Sequence, residues 1–377
     1  MSKKIVILAL HLDTGGAERV ICNLANLLAE NNNVKIISTY KINELPSFDV
    51  DKNIKIEYLI PDLKPIKKEL KATLKSFNFV LAIKQIVNNL KVLYLRKHLM
   101  IKAIKNLDCD IVISTRVLHN NWVGKYANSN IIKIAQEHNH HNNNQKYINK
   151  VIKSLKNFDF FMPVSKELSD FYETRVKNTK VVYIPNFIDK MPTKISNLQN
   201  KQLISVGRLD KIKGFDDLID IFNIFQKSHD DWVLHIVGDG NEKQNLQNKI
   251  NKLNLQNKIF LCGTKLSHEL ESEYINSSIY LMTSFSESFG LVLVEAASYG
   301  LPLIAFDSAK GAKEIIKNNK NGFLIPNRDI SVFLEKLNEL LENSEQQKNF
   351  SKNSLLTAKS FSKSNISEIW NKFLNDI

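Results

Sequence analysis

The chain has 377 residues, 43% of them hydrophobic and 24% charged, so it can bury a large core, and its length favours two domains over one. Cys22, Cys109 and Cys262 are scattered and lack metal-ligand spacing, which excludes a disulfide framework and favours a reducing, cytoplasmic compartment. The apolar run at 5–10 is too short for a signal-peptide core or a membrane span. It predicts a buried first strand.

The formal net charge of +13 resides in the N-terminal half. Residues 1–185 hold 29 Lys/Arg against 16 Asp/Glu, whereas residues 186–377 hold 23 of each. Residues 64–100 combine this charge with apolar residues at helical spacing, which predicts a basic amphipathic surface for anionic lipid headgroups. The basic residues of this predicted surface are Lys64, Lys67, Lys68, Lys71, Lys75, Lys84, Lys91, Arg96 and Lys97.

Two other interpretations of this basic stretch stay open. One is a lysine-rich helix pair that meets only solvent. The other, nucleic-acid binding, is disfavoured because Phe77, Phe79 and Tyr94 fall on the apolar face and do not alternate with the charges as stacking platforms would.

The N-terminal half is predicted to alternate strands and helices around a parallel sheet. The first strand leads to Gly15 and Gly16 and then to a helix, so the backbone can approach a ligand and offer free amides to a phosphate. The dinucleotide fingerprint is not met, because the third glycine and the acid after the second strand, at 34–39, are missing. Further strands are predicted at 110–114, 131–135 and 160–164.

Polar residues follow two of these strands, where parallel sheets collect their ligands. They are Arg116, His119 and Asn120 after the strand 110–114, and Glu137 and His138 after the strand 131–135.

Two metal-binding patterns in this half are weak. The histidines of 138–141 have no carboxylate or cysteine at tetrahedral-site spacing. Asp108 and Asp110 imitate the Asp-x-Asp of another transferase fold, but they stand directly before a strand, where acids commonly end a helix–strand connection. We therefore predict no metal site.

A polar link at 185–200 marks the predicted domain boundary. The second half restarts with a strand at 202–206 and a glycine-flanked loop that carries Arg208 and Lys213. This pair can neutralise a diphosphate through one bidentate and one point-charge contact, although ordinary loop solvation is the alternative. Strands are predicted at 232–237, 259–261, 279–282, 303–305 and 322–325, helices at 216–225 and 242–253, and a helical segment at 328–377 that is interrupted at 361–363.

The stretch 284–302 places two carboxylates in different settings. Glu287 is predicted in a polar loop before Gly290, and Glu295 inside a helix that stops at Gly300. The positive end of this helix would face an anion in the loop. An acid–nucleophile pair of a hydrolase is the alternative, but it requires both carboxylates to face one bond at about 5 or 6.5–9.5 Å.

Five motifs along nearly the whole chain together resemble retaining glycosyltransferases of family four, of the bacterial polysaccharide or lipid-linked oligosaccharide type. The most specific part of this resemblance is a pair of glutamates, Glu287 and Glu295, with seven residues between them. An arginine and a lysine, Arg208 and Lys213, lie upstream. The motifs are Gly15-Gly16-Ala-Glu-Arg19, Val206-Gly-Arg-Leu-Asp210 with Lys213-Gly214, Val237-Gly-Asp-Gly240, Ser286-Glu-Ser-Phe-Gly-Leu291 through Glu295, and Asn321-Gly-Phe-Leu-Ile325.

The resemblance implies the α/β GT-B fold of two facing Rossmann-like βα domains. Residues 1–185 would be the N-terminal acceptor-binding domain and residues 186–350 the C-terminal nucleotide-sugar-binding domain. Residues 351–377 would form a helix that returns to the N-terminal domain. It also implies transfer with retention of anomeric configuration, with no obligatory metal and no cofactor besides the nucleotide-sugar donor.

The resemblance also assigns roles to single residues. Glu295 would accept hydrogen bonds from ribose hydroxyls, Glu287 would contact donor-sugar hydroxyls, and Arg208 with Lys213 would stabilise the diphosphate leaving group. The other residues expected at the donor are Gly15, Gly16, Gly240, Gly263, Thr264, Phe289, Gly290 and Leu291. The acceptor side would use Arg116, His119, Asn120, Glu137 and His138, with His119, Glu137 and His138 as its catalytic candidates.

We therefore expect a transferase that moves a hexose or N-acetylhexosamine from a UDP-sugar to a lipid-linked or surface-glycan acceptor, as in capsule, lipopolysaccharide or oligosaccharide synthesis. It would be cytoplasmic and peripheral on the inner face of the plasma membrane, with no nucleic-acid partner. A GT-B sugar-nucleotide epimerase and a non-catalytic membrane- or glycan-binding module are the alternatives.

Overall fold

The computed structural model describes residues 2–61 and 79–377 and divides the chain into two compact units. Unit 1 comprises residues up to 164 together with 168–184, and unit 2 comprises 165–167 with 185–377. Each unit is built on one parallel sheet, which confirms the predicted α/β class. Five of the basic residues predicted to meet a membrane, Lys64, Lys67, Lys68, Lys71 and Lys75, lie outside the described residues.

Unit 1 contains a seven-stranded parallel sheet of order β3-β2-β1-β4-β5-β6-β7. The central strands β1 and β4 are buried along nearly their whole length, as their continuous apolar runs require in a sheet with helices on both faces. Its elements in chain order are β1 Lys4–Ala9, α1 Gly16–Ala29, β2 Asn33–Tyr40, β3 Lys55–Ile60, α2 Phe79–Lys105, β4 Ile111–Ser114, α3 Val117–Tyr126, β5 Ile132–Glu137, α4 Gln145–Ser154, β6 Phe160–Pro163, α5 Lys166–Glu173 and β7 Lys180–Val181.

Unit 2 contains a six-stranded parallel sheet of order β10-β9-β8-β11-β12-β13. Two short 3₁₀ turns, Lys211–Lys213 and Pro326–Arg328, lie in loops beyond the strands. Its other elements are β8 Gln202–Val206, α6 Phe215–Phe225, β9 Val233–Val237, α7 Lys243–Lys252, β10 Ile259–Gly263, α8 Ser267–Ile275, β11 Ile279–Met282, α9 Leu291–Ser298, β12 Leu303–Phe306, α10 Ala312–Ile315, β13 Gly322–Ile325, α11 Ile330–Glu342, α12 Ser344–Ser360 and α13 Lys363–Asn375.

The core of unit 2 packs helices α6 and α11 against one face of the sheet. Phe222 on α6, Phe306 on β12 and Phe333 on α11 are almost completely buried in the same cluster. Each such side chain contributes roughly 1.5–3 kcal/mol when buried. This buried core stabilises the sheet, and the sheet in turn positions the loops at its edge.

Two predicted elements have different boundaries in the structure and one strand was missed, each for a local reason. Strand β5 continues through Glu137, because its last two residues still pair with β6. The C-terminal helical segment begins only at Ile330, since Asp329 caps α11, and it breaks again at Asn343, whose side chain accepts a hydrogen bond from the Gln346 amide. Strand β3 was not predicted, because Lys55–Ile60 is a partly exposed edge strand of mixed polarity.

Helix α2 buries one face and leaves the opposite face to solvent. Val92 packs with Tyr40 and Ile60 in a small apolar cluster that Leu95 and Leu99 extend. The exposed apolar stripe on the other side consists of Ile83, Ile86, Val87, Leu90, Leu93 and Tyr94. Among the residues that the structure describes, no helix has the length and apolar content to cross a bilayer.

Candidate active site

The loops that follow β8 and β11 are tied together at the carboxyl edge of the unit 2 sheet. Thr283 Oγ1 donates to the Gly214 carbonyl at 2.8 Å, and the Phe285 amide donates to the Ile212 carbonyl at 2.8 Å. Gly214 has φ +65°, and a Cβ there would lie 2.1 Å from the Thr283 carbonyl oxygen. Only glycine fits this close approach, which fixes the neighbouring Lys213 beside the second loop.

Lys213 and Glu287 form an ion pair across these two loops, as Nζ contacts Oε1. Both side chains are mostly buried, with 19% and 14% exposed. Ser284 Oγ donates to the same carboxylate oxygen at 3.1 Å, and the Glu287 carbonyl accepts from the Gly311 amide at 3.0 Å. A cation and a carboxylate, 74 residues apart in the chain, are thus held at one point of the sheet edge.

Arg208 lies in the same loop as Lys213 but reaches outward. Its Nε donates to Asp210 Oδ2 at 2.7 Å, and 68% of its side chain is exposed. The loop that follows β9 lies directly against this segment, because a Cβ on Gly240 would be 2.3 Å from the Leu209 carbonyl oxygen. Arg208, Lys213 and Gly240 therefore lie at one edge of the unit 2 sheet, with Arg208 on its solvent side.

Glu295 lies in the second turn of α9 and is 6% exposed. Gly290, with φ +89°, caps the helix, which begins at Leu291. The Tyr274 hydroxyl donates to Glu295 Oε2 at 3.3 Å, and the Tyr274 ring stacks on Tyr299 with centroids 5.0 Å apart. The predicted loop and helix positions of the two glutamates are confirmed.

Phe289, Gly263 and Thr264 complete the donor residues expected in unit 2. Phe289 is buried, and its ring meets the edge of Phe361 with centroids 5.5 Å apart. Gly263 ends β10 with φ +69°, and its carbonyl accepts from the Gly238 amide at 2.8 Å, so Thr264 emerges beside the loop after β9.

Arg328 holds the loop that carries Glu287, a contact that the sequence did not signal. Its guanidinium donates to the Ser284 carbonyl at 3.1 Å and the Thr283 carbonyl at 2.9 Å, and it pairs with Asp217. Its centre lies 3.7 Å from the centroid of the Phe285 ring. Arg328 itself has φ +55°, a left-handed conformation that is unusual for a residue with a long side chain.

Gly15 and Gly16 lie at the start of α1 in unit 1, at the carboxyl end of β1. A Cβ on Gly15 would be 2.2 Å from Glu18 Oε2, so a larger residue there would displace this carboxylate. Glu18 is buried and forms an ion pair with Arg116, and His11 Nε2 lies 3.8 Å from Glu18 Oε1. The predicted Arg116 therefore has a buried acidic partner from the glycine motif.

His119 and Asn120 were expected in a loop, but they lie on helix α3 and are buried. His119 Nε2 contacts Thr39 Oγ1 at 3.3 Å, and burial together with the charge of Arg116 lowers the pKa of His119 to about 3. Asn120 accepts from Ser114 Oγ at 2.6 Å. Their short polar side chains look like loop residues in sequence, yet they lie among core residues of this helix.

Glu137 was expected after a strand, whereas it is the last residue of β5 and is 4% exposed. Burial raises its pKa, although its Oε1 accepts from the Asn139 amide at 2.8 Å. The adjacent His138 has a pKa lowered to about 3 by burial and by the charge of Arg116. Arg116 thus influences both histidines that were predicted for the acceptor side.

The two sequence patterns weighed as metal sites have other contacts in the structure. The His141 ring lies between His140 and Phe171, with centroids 4.6 and 4.0 Å away. Lys4 binds Asp108 through its ammonium at 2.8 Å and Asp110 through its amide at 2.7 Å. Asp108, Asp110 and His141 thus have protein partners in the structure.

The C-terminal part of the chain matches a known protein family. Residues 187–356 match the family model for glycosyl transferases group 1. This region is a group 1 glycosyltransferase domain. All the donor residues predicted in unit 2 lie within it.

The whole chain also resembles full-length relatives. It is 28% identical over 99% of its length to an uncharacterized glycosyltransferase of Haemophilus influenzae, all of which is covered. It is 26% identical over 99% of both chains to an N-acetylgalactosaminyltransferase of Campylobacter jejuni that is named for an undecaprenol-linked glycan substrate.

A solved structure shows the same fold. The pneumococcal O-GlcNAc transferase GtfA, crystallised with UDP and GlcNAc, has a TM-score of 0.65 and 25% identity. The alignment covers 75% of this chain and 60% of GtfA. The two Rossmann-like units are therefore those of the GT-B glycosyltransferases, as the sequence predicted.

Several residues that organise the site were not singled out in the sequence. In the group 1 domain these are Ser284, Tyr274 and Arg328, which bind the glutamates or their loop. In unit 1 it is Glu18. Only Glu18 had a visible signal, because an acid three residues after a glycine, in the first turn of a helix, faces back toward that glycine.

Proposed function

We propose that this protein is a retaining glycosyltransferase that moves a hexose or N-acetylhexosamine from a UDP-sugar to a lipid-linked or surface-glycan acceptor. The observation that carries the proposal is the buried Lys213–Glu287 ion pair at the carboxyl edge of the unit 2 sheet, beside the Arg208 loop. Ligands of open parallel sheets bind at this edge. GtfA, with the same fold, was crystallised with UDP, which supports UDP as the nucleotide.

Each part of the donor has a partner of suitable chemistry. Lys213 and Arg208 carry positive charge to the diphosphate, and the amides that begin α9 at Leu291 add donors. Glu287 can accept from sugar hydroxyls once the diphosphate attracts Lys213, and the buried Glu295 can accept from the ribose. Because cations do this work, the proposal assigns no role to a divalent metal at the diphosphate.

These groups act mainly on the transition state. As the anomeric C–O bond breaks, its electron pair goes to the diphosphate. The acceptor hydroxyl bonds to the anomeric carbon from the same face and gives its proton to the departing diphosphate oxygen. Prearranged charges that match this developing phosphate charge lower the barrier, and one such donor typically contributes ~3–4 kcal/mol. Adding Mg²⁺ or Mn²⁺ is therefore expected to leave turnover unchanged.

Unit 1 is proposed to bind the acceptor, and helix α13 to return to it. Of the residues predicted there, Arg116 keeps a quarter of its side chain exposed, whereas His119 and Asn120 are buried. His138 stays uncharged at neutral pH because its pKa is lowered to about 3, so its ring is a weak base that can accept a hydrogen bond from an acceptor hydroxyl. Burial moves the proposed acceptor role from His119 and Asn120 toward Arg116 and His138, because Glu137 is buried as well.

The test of the donor site uses matched substitutions in unit 2. We expect Glu295→Ala and Arg208→Ala each to abolish release of UDP from UDP-sugars while the circular dichroism spectrum is kept. Lys211→Ala, in the Arg208 loop, and Glu335→Ala, at an exposed position of α11, are the controls and should retain turnover. Normal turnover of either site variant would contradict the proposal.

The same assay separates the alternatives. Product analysis with donor alone would show an epimerised nucleotide sugar if the protein were an epimerase. Binding without UDP release would indicate a non-catalytic module.

We propose that helix α2 brings unit 1 to the inner face of the membrane, where a lipid-linked acceptor would lie. The apolar stripe of α2 is exposed, with Leu90 61% and Tyr94 67% accessible, and Lys84, Lys91 and Lys97 are exposed on the same helix. Apolar side chains flanked by lysines suit the boundary between headgroups and acyl chains. The undecaprenol-linked substrate in the name of the Campylobacter relative supports such an acceptor.

This membrane proposal is tested with vesicles. We expect co-sedimentation with phosphatidylglycerol vesicles, weaker binding to phosphatidylcholine, and a tenfold or larger loss on Leu90→Asp. Leu356→Asp, at a leucine of unit 2 that is 59% exposed, is the control and should bind as the wild type does. Equal binding of both variants would rule out the α2 stripe as the contact.

A further inference from the structure

Three side chains with metal-binding atoms converge in unit 2, although they are far apart in sequence. His235 lies on β9, Cys262 on the neighbouring β10 and Glu273 on α8. One ligand atom of each lies within 4.8 Å of the other two. Among the residues that the structure describes, these three form the one group of His, Cys, Asp or Glu side chains with three ligand atoms this close together.

The parallel pairing of β9 and β10 creates this convergence. Phe260 pairs with His235, and the register shifts between Leu261 and Gly263, the segment that contains Cys262. The irregularity leaves the cysteine near the histidine of the adjacent strand. Helix α8 then supplies Glu273, whose Oε2 accepts from His235 Nδ1 at 2.7 Å.

We propose that His235, Cys262 and Glu273 bind one Zn²⁺ or a similar thiophilic divalent ion, with water as the fourth ligand. Imidazole, thiolate and carboxylate are all zinc ligands, and three protein ligands plus water make a four-coordinate site. Zinc bonds of about 2.0–2.3 Å place neighbouring ligand atoms roughly 3.3–3.8 Å apart. Side-chain rotations that move the ligand atoms by about 1 Å would therefore close this group around an ion.

Partial exposure of the group gives an ion and its water access. His235 has 23% of its side chain exposed and Glu273 has 14%. Cys262 is free and only partly buried. The Cys262 thiol donates to the Phe260 carbonyl at 3.5 Å, a hydrogen bond from a weak donor that metal binding would replace.

A plain His235–Glu273 ion pair is the competing explanation, and it makes different predictions. Although burial lowers the pKa of His235, hydrogen bonds to Cys262 and Glu273 raise it overall to about 9. A metal would bind the deprotonated imidazole and thiolate, so it would compete with this ion pair. Lys265, whose Nζ lies 3.8 Å from Glu273 Oε1, and Gln202, whose amide lies 3.4 Å from Oε2, also face the carboxylate.

The position of this group gives the ion a structural consequence. Cys262 directly precedes Gly263 at the end of β10, and His235 lies two residues before the end of β9. The ion would join the ends of two strands from which the Gly240 and Thr264 loops emerge. This inference does not depend on the proposed transferase activity.

The experiment titrates the untagged, chelator-treated full chain with Co²⁺ and then displaces it with Zn²⁺. We expect one equivalent of Co²⁺ to give a thiolate-to-cobalt charge-transfer band, which Cys262→Ser removes and His235→Gln weakens at least tenfold in affinity. Cys109→Ser and His229→Gln are matched controls and should keep the band. Lys265→Gln should tighten binding, because it removes a positive charge beside Glu273.

A second variant is needed because Cys262→Ser could lose the band simply by failing to fold. The double variant Cys22→Ala/Cys109→Ser leaves Cys262 as the one remaining cysteine and should keep the band. If the wild type shows no thiolate band with Co²⁺, or if the band depends on Cys22 or Cys109, the proposal is wrong and the group is an ion pair only.

Discussion

Arg328 provides the most direct test of how the Glu287 loop is held. Its guanidinium binds the Thr283 and Ser284 carbonyls and pairs with Asp217. Truncation to alanine leaves the Thr283 carbonyl without its donor and Asp217 without its cation, whereas the Ser284 carbonyl keeps a hydrogen bond from Ser308 Oγ at 3.0 Å. Breaking such a mostly buried pair costs about 3–5 kcal/mol of the free energy of unfolding.

Glycine at the same position separates backbone strain from side-chain contacts. A left-handed conformation costs a non-glycine residue about 1–2 kcal/mol, and glycine does not pay it. Arg328→Gly should therefore be about 1 kcal/mol more stable than Arg328→Ala, although both lose the guanidinium. Asp217→Asn should cost less than either, since the carbonyl contacts of Arg328 remain.

Differential scanning calorimetry measures these differences as shifts in melting temperature. For a unit of this size 1 kcal/mol corresponds to about 2–4 °C, so Arg328→Ala should melt roughly 10 °C below the wild type. The KM for the donor should also rise, because the loop of Glu287 loses its anchor. Equal melting of the alanine and glycine variants would refute the strain argument, and a loss below ~1 kcal/mol in both would refute the clamp.

The remaining predictions concern the other buried groups. Tyr274→Phe should raise the KM for the donor about tenfold with little change in kcat, because Glu295 loses a hydrogen bond worth ~1.4 kcal/mol, measured by steady-state kinetics. Gly214→Ala should abolish turnover and lower the melting temperature, since its Cβ meets a backbone carbonyl at 2.1 Å; wild-type kinetics would contradict this. His119 and His138 have pKa values lowered to about 3, so the folded state binds fewer protons than the unfolded state, and stability should fall as pH drops below about 6.5. His138→Gln should flatten that fall in calorimetric scans between pH 4 and 7.

The sequence predicted the sheet strands well because their burial is continuous. Runs such as Ile279–Met282 and Leu303–Phe306 are entirely buried. A short apolar run flanked by glycine and polar residues is typical of a buried strand and is too short for most helices. Strand β3 escaped prediction for the opposite reason. It lies at the edge of the sheet, where mixed polarity is tolerated and the periodic signal is weak.

Contacts between distant residues limited the prediction of the site. The positions of Glu287 and Glu295 followed from local glycine and helix signals, but the partners Tyr274 and Arg328 are 21 and 44 residues away from the groups that they bind. The same limit applied to His119, since a helix and its burial depend on packing that local polarity does not reveal. Side-chain pairing across strands, as in the cluster at Cys262, follows only from the register.

The hydrogen bonds between the loops of Gly214, Thr283 and Arg328 have a consequence for protein engineering. A chimera that takes only residues 283–289 from a relative would place a foreign loop against Gly214 and Arg328. Both of these residues contact the native loop through Thr283. The segments 207–214, 283–289 and 326–328 therefore depend on one another. A graft intended to change donor preference should exchange all three at once.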